Sequence, residues 1–316
     1  MGDKMFGLDL AFYVGVCVGV ISRIIMLNTD QNQYPTHPNI LVSQLILSFV
    51  ASALGALLVP ALVARSYTSI TFLALAAEQF RQVRANRRNT LQNIEPLQLV
   101  QRGGAFIEEI ARAYEVRNYM CIITSFMAVA IDRVMIDEFH LGTITSLAIG
   151  GSSGIVLAII LKKLLTRQSI SDIADVVEVP ISFVDGSILK VGDLDGITNI
   201  GLKSDRDVYL KRGIGIEVIP KERDYKNAGI LYNSGQRQAI LYNIYARLGR
   251  AGDLDDIVYT PLARRNPKNE SLVFAFVPTY GNARDVIEAV KSAPIIESAK
   301  GKNLSLQKHK IGSLNK

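Results

Sequence analysis

Residues 40–64 read ILVSQLILSFVASALGALLVPALVA and hold no charged side chain. A helix needs about 20 mostly apolar residues to cross the hydrocarbon of a bilayer, so this stretch reads as a spanning segment. Three more apolar runs, at 7–27, 120–136 and 141–163, approach or reach that length, and 120–136 is the shortest. All four lie in the first half of the chain. They predict a membrane α-helical region with four transmembrane helices over residues 1–165 and a soluble remainder. One early Lys4 precedes the first run and no small-residue cleavage site follows it, so it reads as an uncleaved anchor and not a signal peptide.

The chain has 316 residues, of which 49% are hydrophobic, and a mean hydropathy of +0.22. That average joins a lipid-compatible front half to an ordinary polar back half large enough for its own core. The formal net charge is +6. Lys and Arg cluster beside the apolar runs, which points to anionic headgroups and away from nucleic acid. Cys17 and Cys121 lie in or beside those runs and read as small packing residues, not a disulfide.

Charge sets the expected topology. The 28–39 loop and the turn from Asp137 to His140 carry no Lys or Arg. The segment after the second run carries Arg81, Arg84, Arg87, Arg88, Arg102, Arg112 and Arg117, and Lys162, Lys163 and Arg167 close the fourth. The positive-inside rule then predicts a multi-pass protein of the bacterial cytoplasmic membrane. Its N- and C-termini and a helical insertion at 66–119 are expected in the cytoplasm. In the insertion, Arg81, Arg84 and Arg88 recur at helical spacing and read as a basic stripe for the anionic inner leaflet, or as the solvated face of a packed helix.

Of the charges inside the runs, Arg23 in the first and Asp132, beside Arg133, in the third stand out. With four alternating spans both fall near the outer ends. Either they pair across the bundle or each marks the interface. Ser152 and Ser153 in GGSSG (150–154) match serine-protease patterns on paper, and with Glu108 and Asp132 they are the catalytic candidates. A serine nucleophile needs a base. The histidines are His37, His140 and His309, and none sits in a span. Small residues for close helix packing explain the glycines and serines better. His37 and His140 near Asp30, Asp137 and Glu138 do not amount to a metal motif, and no cofactor is expected.

Residues 105–119, AFIEEIARAYEVRNY, read as a helix with Phe106, Ile107, Ile110, Ala111 and Tyr114 on one face. FIEEIA (106–111), followed by Tyr114-Glu115 and Arg117-Asn118-Tyr119, resembles the namesake motif of the YIEGIA family, membrane proteins of spore-forming Firmicutes. The resemblance extends to Tyr34-Pro35, Pro38-Asn39, Ala53-Leu54-Gly55-Ala56, Pro60-Ala61-Leu62, Thr71-Phe72-Leu73-Ala74-Leu75-Ala76 and Gln79-Phe80-Arg81. It departs where Phe106 replaces Tyr and Glu109 replaces Gly. It implies a sporulation-linked membrane protein and supplies no catalytic residue. The motif residues Phe106, Ile107, Glu108, Glu109, Tyr114, Glu115, Arg117 and Asn118 become candidates for coupling the soluble part to the spans.

The soluble part reads as a small β-module over 170–212, an α+β domain over 213–300 and a basic tail over 301–316. The expected strands 213–220, 256–261, 271–278 and 295–298, with helices 236–248 and 282–292, give a ferredoxin-like βαββαβ order. Asp193, Asp195, Asp205 and Asp207 lack calcium-loop spacing. Arg264 and Arg265 suit a phosphate, a carboxylate or a solvated hairpin. The leading expectation is a membrane regulator or scaffold with a cytoplasmic sensory domain. It would engage a protein partner or a small ligand, with self-association open. A membrane-embedded protease or protease subunit is the alternative.

Overall fold

The computed structural model describes all residues except 1–3, 6–7, 34–37, 167, 222–224 and 301–316. Tyr34, Pro35, His37, Arg167, His309 and the basic tail therefore lie outside the described residues. The chain divides into two compact units, residues 1–90 with 110–166 and residues 91–109 with 167–316.

The first unit is helical: α1 (Leu10–Gln33), α2 (Pro38–Val63), α3 (Tyr67–Ile94), α4 (Gly104–Asp137, from residue 110 onward) and α5 (Thr143–Leu165). Four of these, α1, α2, α4 and α5, are long and apolar enough to cross a membrane. Their outward surface agrees: Ile46, Phe49, Val156 and Ile159 are exposed. That surface suits lipid, because an apolar face of this size is not kept against water.

Small residues let the helices touch backbone to backbone. A methyl group on Gly55 would lie 2.3 Å from the Ile122 carbonyl oxygen, one on Gly19 3.1 Å from that of Cys121, and one on Gly150 2.4 Å from that of Ala128. Hydroxyls fill the seam and spend their hydrogen bonds on the backbone. Ser125 Oγ donates to Ser52 O at 2.7 Å, and Ser52 Oγ donates to Ser48 O at 2.6 Å. Thr124 Oγ1 contacts Ser22 Oγ at 3.2 Å.

These contacts fix helix directions. Gly15 meets Val129 while Gly19 meets Cys121, so α1 and α4 are antiparallel. Ala51 packs with Cys121 and Val59 with Val129, so α2 and α4 run the same way. Phe80 joins Ala51 and Cys121, and Arg84 reaches Glu115, so α3 runs beside the spans antiparallel to α4. The start of α1 and the end of α5 consequently lie at opposite ends of this bundle. Four alternating spans would have put them at the same end.

The second unit has a four-stranded antiparallel sheet. Its strands, in chain order, are β1 (Ala174–Val179), β4 (Ile214–Pro220), β5 (Arg264–Arg265) and β6 (Leu272–Phe276); β2 (Ile181–Val184) and β3 (Ile188–Val191) form a separate hairpin. The order across the sheet is β1-β4-β6-β5, with Val179 opposite Gly215 and Ile216 opposite Phe274. All of β6 is buried, so it is covered on both faces. One face, Val273, Ala275 and Val277, packs on Leu189 and Val191 of the hairpin and on Tyr209 of α6 (Lys203–Arg212). On the other side α7 (Tyr225–Tyr232) and α9 (Ala283–Lys291) contact the sheet, and α8 (Ser234–Leu248) packs on α9.

The expected βαββαβ order does not form as such. Residues 257–259 and 297–299 are single 3₁₀ turns, not strands, and the edge beside β4 is taken by β1 from the supposed preceding module. Pairing partners are non-local, so strand propensity alone could not choose between the two edges.

Candidate functional site

Most of the motif lies on α4, a single uninterrupted helix from Gly104 to Asp137. Nothing between 105 and 136 breaks a helix: the stretch holds no Gly and no Pro. Its residues 104–109 belong to the second unit and its residues 110–137 to the first.

In the first unit the motif's downstream half forms a buried polar network. Glu115, Arg117 and Asn118 are buried. Arg84 Nη1 lies 3.2 Å from Glu115 Oε2, and Tyr119 Oη donates to Glu115 Oε1 at 3.2 Å. The Arg87 guanidinium sits over the Tyr114 ring, 4.8 Å from its centroid. Buried charge must be neutralised by a partner, and Glu115 gathers one cation and one hydroxyl. Of the expected leaflet-binding stripe, Arg84 is thus turned to Glu115, and Arg81 pairs with Glu78 at 2.7 Å on the exposed face.

In the second unit the motif's first half packs on α8. Phe106 and Ile107 are each 1% exposed. The Phe106 ring lies 6.1 Å from that of Tyr242, and the Arg102 guanidinium is 4.4 Å from the same Tyr242 ring. Arg102 also lies 3.7 Å from Glu95, whose Oε1 accepts from Gly103 N at 2.6 Å. Gly103 has φ +80°, a left-handed turn that glycine adopts without strain. Burial pushes the Tyr242 hydroxyl above its ordinary range, and Arg102 opposes the shift. Glu109, standing where the motif has Gly, is buried, so this chain places a carboxyl where the family pattern needs none.

The intramembrane pair does not assemble. Arg23 donates through Nη2 to Gln44 Oε1 between α1 and α2. Asp132 sits near the opposite end of the bundle, against Gly150 and Ser146 of α5. The serines among the catalytic candidates turn to their own helix. Ser153 Oγ donates to Gly150 O at 2.7 Å and Ser152 Oγ to Ile149 O at 3.0 Å, both within α5, while Glu108 belongs to the second unit. Among the described residues no group of His, Cys, Asp and Glu could hold a metal ion.

One feature of the second unit was not visible in the sequence: a cavity of about 480 Å³ lined by Glu178, Lys211, Arg212, Thr279, Tyr280 and Asn282, among others. Arg212 Nη2 anchors it by donating to Pro278 O and Thr279 O at 3.1 Å. Arg212 and Pro278 are 66 positions apart, so no local pattern could have paired them. Arg264 and Arg265 are exposed on β5, with Arg265 stacked 4.5 Å from the Tyr232 ring.

Residues 11–306 match a family described as YIEGIA protein. A Bacillus subtilis (strain 168) protein described as uncharacterized protein YphB is 33% identical over 285 residues, covering 90% of this chain and 91% of that protein. No solved structure matches.

Proposed function

The chain belongs to the YIEGIA protein family, and from that membership we propose a sporulation-associated integral membrane regulator or scaffold, in which α4 couples a cytoplasmic interaction domain to the membrane bundle. The observation that carries this reading is α4 itself, which gives the first residues of FIEEIA to one unit and the Tyr114-Glu115 network to the other without a break. A helix transmits rotation and translation along its axis better than a loop does. The cavity beside Lys211 and Arg212 supports a small-ligand input, and the relative from a spore-forming Bacillus supports the sporulation setting.

The test is complementation in a spore-forming host. Deletion of the gene should lower the yield of heat-resistant spores, and the intact chain should restore it. Inserting two alanines between Glu109 and Ile110 turns residues 104–109 by about 200° relative to the rest of α4. That variant should accumulate normally and fail to complement, as should a chain truncated after Thr166. Normal sporulation without the gene refutes the setting. Full complementation by the insertion variant refutes the coupling.

A further inference from the structure

Among the described residues of the bundle, Asp132 is the one buried acid that the network around Glu115 leaves out. It lies inside spanning helix α4 and is 5% exposed. Its Oδ1 has no hydrogen-bond partner. The charged groups facing it do not neutralise it. Arg133, its neighbour, turns away to Asp137 at 2.8 Å. Asp9, before α1, is another acid. Arg23 is held by Gln44 near the far end. From α5 the facing polar group is the fully buried Ser146 hydroxyl.

Ser146 decides the proton's position. A serine hydroxyl has a single hydrogen to donate, and Ser146 Oγ directs it to Thr143 O at 3.0 Å. With its hydrogen there, Ser146 Oγ is free to accept toward Asp132, and a hydrogen bond formed that way carries its hydrogen on the carboxyl. α5 packs closely on this residue, since a methyl group on Gly150 would lie 3.0 Å from Asp132 Cβ. A bare carboxylate in such a place is costly.

We propose that Asp132 is a proton-binding site within the bundle. Its carboxyl holds a proton that bonds to Ser146 Oγ, and loss of that proton opens the α4–α5 seam at Gly150.

The test is infrared spectroscopy of the full chain in lipid nanodiscs, following the carbonyl stretch of protonated carboxyls. At neutral pH a band should be present that Asp132→Asn removes and that alkaline titration bleaches. Ser146→Ala should move the band to higher wavenumber, because the carboxyl loses its acceptor; this arm stands even if the Asp132 variant does not fold. Sodium at neutral pH should leave the band unchanged. A band untouched by both variants, or no band at all, overturns the proposal. Loss of the band on adding sodium also overturns it and would make this an alkali-cation site.

Discussion

Replacing Gly55 by Ala should unlock the α2–α4 seam, and the size of the effect follows from the geometry. The new methyl would lie 2.3 Å from Ile122 O and 3.0 Å from its carbonyl carbon and Cα. Carbon–oxygen contacts normally begin near about 3.3 Å, so the two backbones must part by about 1 Å. A gap of that size forfeits about a quarter to a half of each dispersion well. With about 25 heavy-atom contacts at about 0.15 kcal/mol each, the loss is about 1–2 kcal/mol. Stretching the Ser125-to-Ser52 hydrogen bond costs about 0.6 kcal/mol more. The better helix propensity of Ala returns up to about 1 kcal/mol. The net destabilisation is about 1–2 kcal/mol. Gly151→Ala is the control, since its methyl would meet Val14 at 3.4 Å, an ordinary contact; propensity should dominate and stabilise. The assay is uptake of a thiol reagent by Cys121, a buried thiol, on heating in detergent with the exposed Cys17 replaced by Ser. The reasoning fails if Gly55→Ala opens no earlier than the parent, or if Gly151→Ala falls as far.

Three other outcomes are expected. A double-mutant cycle on Arg84 and Glu115, using Ala at each position, should return a coupling of about 0.5–1 kcal/mol in the same thiol assay, because Glu115 is largely buried while Arg84 is a third exposed; additive single losses would refute the pair. Burial, then the hydrogen bond to Asp205, pushes the Tyr259 hydroxyl up to about 12. A folded-state value raised above the unfolded one gives stability that is full below about pH 10 and is lost as pH rises from about 10 toward 12. Alkaline unfolding followed by tyrosinate absorbance should therefore be less steep in Tyr259→Phe, and an unchanged profile would refute it. Finally, reporters fused before residue 10 and after residue 300 should report opposite sides of the membrane; reports from one side would refute the bundle's parity.

The membrane helices were legible because lipid imposes one rule on long segments, and 40–64 obeys it without exception. Their continuity was less so. Hydropathy separates 105–119 from 120–136 at Arg117 and Asn118, yet the backbone runs straight through, because charged side chains with partners do not end a helix. In the soluble unit, α6 (KSDRDVYLKR) was missed: it is mostly charged and polar and is held largely by Tyr209, which stacks on Tyr259 at 5.9 Å and donates to Val258 O. That anchor lies about fifty positions away in the chain, beyond any periodicity. The candidate site shows the same division. Glu115 and Tyr119 share one helix face and could be read locally, whereas Arg84 reaches them from another helix.

The position of α3 decides how charge and topology are reconciled. Its first half, TSITFLALAA, is apolar and its second half carries the arginines; it is long enough at 28 residues but not apolar enough to be marked as a span. Yet Phe80 is buried against Ala51 and Cys121, so α3 runs antiparallel to both α2 and α4 alongside the four apolar helices. Counting α3 as a pass reverses α4 and α5 relative to a four-span count. It explains why Arg23 and Asp132, at similar depth in the four-span reading, end far apart. The positive-inside rule still applies. Arg84 to Arg88 and the Lys162-Lys163 pair lie toward the end of the bundle where α5 finishes, and Arg65 and Arg133 toward the other. On that rule the reporter fused after residue 300 is expected to read the cytoplasm and the one before residue 10 the outside.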